Sequence, residues 1–152
     1  MSILSESYFP PPRSYDAFEG LVFDVFTRRL FNPELKRYGR QGQGQDGVDI
    51  AGPTPTGFIG IQCKNHPGGK IAALEIDAEI VKAEHFTPKL THYILATSAP
   101  RDAVATQHIF SLYLERQRTG KFTVEILFWE DLCAEIARYP DLVRRHFPEI
   151  AF

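Results

Sequence analysis

The stretch from Tyr38 to Gly52, "YGRQGQGQDGVDIAG", is followed after a short turn by Gly57 to Asn65, "GFIGIQCKN", and together these two segments decide the reading. Residues two apart on a strand share a face, so Ile59, Ile61 and Cys63 point one way and Phe58, Gly60, Gln62 and Lys64 the other. The first set is apolar and belongs to a core. The second sets an amide oxygen beside an ammonium, with Gly60 leaving room for a metal, a ligand or another backbone. "VDIAG" and "GFIGIQCK" read as two strands joined by a turn from Pro53 to Gly57. That hairpin brings Asp49 next to Gln62 and Lys64.

A carboxylate together with an amide or peptide oxygen suits a hard divalent cation such as Mg²⁺, which keeps several waters and takes few protein ligands plus substrate phosphate. A lysine beside it can hold or help deprotonate an attacking water and offset charge on phosphorus. Phosphodiester hydrolysis is the matching reaction. The rival reading of "GRQGQGQDG" as a nucleotide phosphate loop fails, because neither the Gly-Lys-Ser/Thr ending nor an immediately following helix is present. In isolation Asp46 and Asp49 both fit ordinary turn chemistry. The Gln-x-Lys downstream singles out Asp49, with Asp46 the alternative acid.

Working outward, Pro10-Pro11-Pro12 blocks helix, and Ser14 or Asp16 can cap a helix running to about Phe31. Phe18, Leu21, Val22, Val25, Phe26 and Leu30 recur at helical spacing as a buried stripe, and Asn32-Pro33 ends it. A short strand is expected near Lys36 to Tyr38. Beyond the "HPGG" loop, "KIAALEIDAEIVKAEHF" is helical and "THYILATSA" is a central strand. A helix from about Arg101 to Gln117, the strand "FTVEILFW" and a C-terminal helical segment broken by Pro140 and Pro148 complete the order. Helix, three strands, helix, strand, helix, strand, helix implies an α/β domain with a mixed β-sheet flanked by helices on both faces.

The chain of 152 residues, 43% hydrophobic and 12% aromatic, suits one globular domain. No apolar run is long enough to span a bilayer, and "MSILSESYFPPPRS" lacks the pattern of a signal peptide, so a cytoplasmic location is expected. Cys63 and Cys133 have no partners at zinc spacing and read as core residues. His66, His85, His92, His108 and His146 lack ligand spacing. With 17 Lys+Arg against 19 Asp+Glu, the net charge of −2 argues against strong unaided binding to nucleic acid. Local basic groups remain at Arg28, Arg29, Lys36, Arg37 and Arg40, and at Arg138, Arg144 and Arg145; the last two are read as covering the sheet.

An aspartate opening one strand and a following strand ending in (Asp/Glu/Gln)-x-Lys resembles the PD-(D/E)xK nuclease superfamily. "QDGVDI" with "IGIQCKN" is similar to its Mrr-like restriction endonuclease branch, in which glutamine replaces the usual acid. That branch also carries a glutamate on the first helix, and "YDAFEGLVFDVF" offers Glu19 there. The resemblance spans most of the chain, to "VEILFWEDLCAEIARYPDLVRRHFPE", and is specific in the glycine-rich turn and the Gln-x-Lys. It implies a restriction-endonuclease-like core in residues 14–152 after an extension over 1–13. It also implies Asp49 as principal metal ligand, Gln62 as second, the Cys63 backbone carbonyl as candidate third, Lys64 as catalytic lysine and Glu19 as accessory acid or further ligand. Arg40, Gln43, Gln45 and His66 are candidate substrate-binding groups. The cofactor implied is Mg²⁺ or Mn²⁺. Two departures are Val48 where a proline is usual, and the uncharged Gln62, which weakens cation binding.

The resulting expectation is a metal-dependent endonuclease acting on DNA, double-stranded by preference, as the effector module of a restriction or antiphage defence system. A sensor or recognition domain in the same chain or complex, or a homo-oligomer, would supply the remaining DNA affinity. Two alternatives stay open: a catalytically silent relative that binds DNA or assembles with partners, and an enzyme similar to Holliday-junction resolvases.

Overall fold

The computed structural model describes residues 9–39 and 46–150. Helix α1 (Tyr15–Arg29) starts where Ser14 Oγ accepts from the Ala17 N–H at 3.0 Å, with Asp16 in the first turn and Arg28 and Arg29 in the last, each complementing the helix dipole. Strands β1 (Lys36–Arg37), β2 (Ile50–Thr54) and β3 (Gly57–Lys64) follow, then α2 (Ala73–Ala83), β4 (His92–Thr97), α3 (Ala103–Arg118), β5 (Thr123–Leu127), α4 (Trp129–Ala137) and α5 (Pro140–His146).

The five strands form one sheet in the order β1-β2-β3-β4-β5. The first three are antiparallel neighbours, whereas β3, β4 and β5 run parallel, each parallel step bridged by a helix because a tight turn cannot reverse direction twice. The expected mixed sheet with helices on both faces is what the chain adopts. Ile59, Ile61 and Cys63 of β3 pack with Phe18, Leu21, Val25, Trp129 and Val143 beneath α1, α4 and α5. On the other face, Ile76, Ile80, Ala105 and Ile109 of α2 and α3 cover Tyr93, Leu95 and Val124. Both cysteines are buried free thiols. No helix among the described residues is long and apolar enough to cross a membrane.

Two boundaries differ from the sequence reading. Phe9 is fully buried, stacks on Phe147 at 4.8 Å and gives its carbonyl to Trp129 Nε1 at 2.7 Å, so the domain begins no later than Phe9. Within the extension expected over 1–13, Phe9 is core, whereas Pro10 and Arg13 are exposed. Pro53, expected in the turn, lies within β2 opposite Phe58, and the hairpin closes at Pro55-Thr56. A proline is tolerated there because β1 pairs only with Ile50 and Ala51, so no ladder needs its missing N–H. The C-terminal helical segment divides just before Pro140, as expected, and Pro140 opens α5, where its fixed φ and absent N–H suit the first turn.

Candidate active site

Pairing of Ile50 with Ile61 sets the register of the β2-β3 hairpin, and the Asp49 N–H donates to the Ile61 carbonyl at 2.8 Å. Asp49 thus turns to Ile61, the residue that Ile50 already pairs with. The ladder stops there. The Cys63 N–H, which faces β2 as Ile61 does, is taken by Asp49 Oδ2 at 2.8 Å. The carboxylate therefore lies in the gap where the two strands part, and by the same strand parity the Cys63 carbonyl faces that gap.

Asp49 is 1% exposed. Burial pushes its carboxyl above the usual range, opposed by hydrogen bonds from the Tyr15 hydroxyl and the Cys63 N–H and by the charge of Lys64, while the charge of Glu19 pushes it further up. Tyr15 is itself raised by burial and then by Asp49, so it remains a neutral donor. Glu19, one helical turn after Tyr15, is buried, and its Oε1 accepts from Arg37 Nε at 3.1 Å. Arg37 also reaches Asp16 at 2.9 Å.

The glycine-rich turn is docked, not loose, where it joins β2. Gly47 has φ +69°, and a Cβ there would meet the Glu79 carbonyl at 2.8 Å. Only glycine satisfies both the conformation and the approach. The Tyr93 hydroxyl donates to the Gly47 carbonyl at 2.6 Å and ties the turn to β4. Asp46, at φ +50°, is exposed on the outer side of this turn. Of the two aspartates, the fold buries Asp49 against β3. Arg40, Gln43 and Gln45 lie outside the described residues.

On the α2 side of β3, the space beside Gly60 is not open as expected. A Cβ there would meet Leu90 Cδ1 at 2.9 Å and Val48 Cγ2 at 3.3 Å, so core side chains fill the room a ligand would need. The neighbouring position is different: Gln62 Oε1 is buried and has no hydrogen-bond partner among the described residues. An orphaned amide oxygen costs about 1–3 kcal/mol unless something binds it. Lys64 Nζ stands 3.1 Å from Glu79 Oε1 and 3.6 Å from Glu75 Oε2. His66 Nε2 lies 2.9 Å from Glu75 Oε2, which ties this histidine to the helix.

Tyr15, Glu75 and Glu79 did not stand out in the sequence. The available signal was spacing: Tyr15 lies four residues before Glu19, and Glu75 and Glu79 lie four apart on the helix after the Gln-x-Lys strand, hence on one helical face. Much of the basic surface is already paired, Arg28 with Asp141, Arg37 with Glu19 and Asp16, and Arg145 with Asp24. Among the described residues, no three His, Cys, Asp or Glu side chains are grouped to hold a metal ion. A leaner set of oxygens lies near the end of β3: the buried Asp49 carboxylate and the Cys63 carbonyl at the gap, and the orphaned Gln62 amide oxygen, which by strand alternation projects with Lys64 on the α2 face. That set fits a hard cation that keeps most of its water and shares substrate phosphate. Comparison with protein-family models, with curated proteins and with solved structures found no match.

Proposed function

We propose that the chain is a divalent-cation-dependent endonuclease that hydrolyses phosphodiester bonds in DNA, with Mg²⁺ or Mn²⁺ held at the β2-β3 gap. The observation that carries this reading is the buried Asp49 carboxylate bonded to the Cys63 N–H, with the orphaned Gln62 oxygen and Lys64 flanking Cys63 on β3. Likeness of this pattern to the Mrr-like restriction endonucleases supports the same conclusion and suggests a restriction-endonuclease-like core acting as the effector of a restriction or antiphage system.

In this reading Asp49, Gln62 and the Cys63 carbonyl would hold the cation, which supplies positive charge to the scissile phosphate and favours loss of a water proton. Tyr15 and the Cys63 N–H fix the Asp49 carboxylate by two hydrogen bonds. Lys64 donates to a phosphate oxygen and offsets the charge that grows on it as water attacks. Glu19, held by Arg37, orients the water from the α1 side. Because the net charge is −2 and many arginines are paired within the fold, much of the affinity for the phosphate backbone comes from a partner domain, a companion protein or a second copy.

A second reading, a silent domain of the same fold, draws on the uncharged Gln62. Incubating supercoiled plasmid with the protein in Mg²⁺ or Mn²⁺ separates the two. Nicking or linearisation by the wild type, lost by at least about 100-fold in Asp49→Ala and Lys64→Ala but kept in Asp46→Ala, is expected. Cleavage that survives Asp49→Ala would move the site elsewhere, and absence of metal-dependent cleavage by the wild type would favour the silent domain. A four-way junction cut in preference to linear duplex would redirect the substrate to branched DNA.

A further inference from the structure

Lys64 does not project freely from the end of β3. Its ammonium is 3.1 Å from Glu79 Oε1, and Glu79 is only 3% exposed. The same oxygen takes Lys82 Nζ at 3.2 Å from the solvent side, while Glu79 Oε2 is buried without a partner among the described residues. A buried carboxylate with one oxygen unsatisfied is a costly choice for a helix face that otherwise packs Ile76 and Ile80. An apolar residue of similar size would cost the fold less.

The position of Glu79 is also tied to the aspartate. Its carbonyl is the atom that Gly47 packs against, and the Tyr93 hydroxyl lies between the Gly47 carbonyl at 2.6 Å and the Glu79 carbonyl at 3.5 Å. Burial is the main cause that raises the Tyr93 hydroxyl, and the charges of Glu79 and Asp49 add to it. The segment leading to Asp49 and the helix bearing Glu79 are thus keyed together at one place. An unbranched lysine otherwise loses much rotamer freedom on being fixed. A buried carboxylate on a docked helix can hold it in one place beforehand.

We infer that Glu79 is a positioning residue for Lys64, holding its ammonium in register with Asp49 across the gap. The consequence for cleavage rests on the nuclease reading; the pairing itself does not. Glu75 is the weaker partner, at 3.6 Å and shared with His66. Glu79 acts through Lys64 and does not hold the cation.

The test uses Glu79→Gln, which keeps shape and removes charge, and Glu79→Asp, which keeps charge and shortens the reach. Three quantities are read: the lysine ammonium signals in ¹H–¹⁵N spectra, kcat and KM on plasmid, and Mn²⁺ affinity by calorimetry. A hydrogen-bonded Lys64 ammonium, assigned by its loss in Lys64→Arg, is expected in the wild type and absent in Glu79→Gln. The expected kcat of Glu79→Gln is about 10- to 100-fold lower, with KM and Mn²⁺ affinity within about twofold, because only placement is lost. Glu79→Asp recovers part of the rate. In a Lys64→Met background Glu79→Gln causes no additional loss. An unchanged ammonium signal or unchanged kcat in Glu79→Gln overturns the inference, as does a fall in Mn²⁺ affinity, which would make Glu79 a ligand. If the wild type does not cleave at all, the nuclease reading fails, and the ammonium signal alone decides the pairing.

Discussion

Asp49 and Glu79 are both carboxylates almost without solvent contact, at 1% and 3% exposure, and they are satisfied in opposite ways. The Asp49 carboxylate receives hydrogen bonds from neutral donors, the Cys63 N–H and the Tyr15 hydroxyl. Glu79 receives two ammonium groups on one oxygen. Neutral donors satisfy lone pairs but leave the net charge uncompensated, so burial raises the carboxyl of Asp49 despite its hydrogen bonds. A group held that way still has charge to offer a cation. One whose charge is already matched by two lysines has much less, and serves better as an anchor.

The comparison breaks most directly at Gly47, the hinge pin that both carboxylates share. Gly47→Ala forces a left-handed residue to carry a Cβ and drives it into the Glu79 carbonyl. The expected cost is about 2–4 kcal/mol of stability. Thermal unfolding should show it as a fall in Tm of several degrees, with plasmid cleavage falling further than stability alone explains. A variant with wild-type Tm and rate would mean that the turn and α2 are not keyed together.

Adding charge at the gap sharpens the same contrast. Gln62→Glu supplies the acid that this strand lacks, in place of an orphaned oxygen. Mn²⁺ affinity, measured by calorimetry, is expected to rise roughly tenfold, about 1.4 kcal/mol, because ligand charge count sets the strength of such sites. The metal-free protein should be less stable, since a carboxylate is then buried where the Gln62 oxygen already has no partner. An unchanged affinity would remove Gln62 from the cation site.

How much of this was legible in sequence follows from how local each signal is. The stripe from Phe18 to Phe26 and the alternation from Phe58 to Lys64 are periodic patterns within one element, and both elements form as read. That Asp49 meets the end of β3 was legible because one short turn fixes the hairpin register, although the group it bonds there is the Cys63 N–H. Glu75 and Glu79 were not, because on a helix they look like a solvated face; only the parallel crossover that lays α2 over β3 brings them to Lys64. Gly60 read as open space for a related reason. The groups that fill it, Leu90 and Val48, come from the segment before β4 and from the turn before β2. Pro53 read as a turn because proline is rare inside strands, and only the fold shows that β1 pairs with Ile50 and Ala51 alone and leaves the Pro53 edge open.

The smallest effect expected is a shift of a few degrees in Tm, and it isolates the charge of Asp49. Burial, the largest cause, raises its carboxyl in the folded state above the unfolded value. The protonated form is therefore favoured by folding, and the stability it gives is fully present below the ordinary carboxylate range, about pH 4, and lost as pH rises through the raised value. Asp49→Asn keeps an oxygen to accept from the Cys63 N–H and carries no charge. Without metal, this variant should melt above the wild type near pH 7, and the difference should shrink as the pH is lowered through about 4. Mg²⁺ or Mn²⁺ should then stabilise the wild type but not the variant, because a ligand that binds only the folded state raises Tm in proportion to its affinity. A Tm difference that stays constant across this pH interval would show that Asp49 is not held under strain of charge. The contrast with Glu79, and with it the preference for Asp49 as the cation's ligand, would then fall.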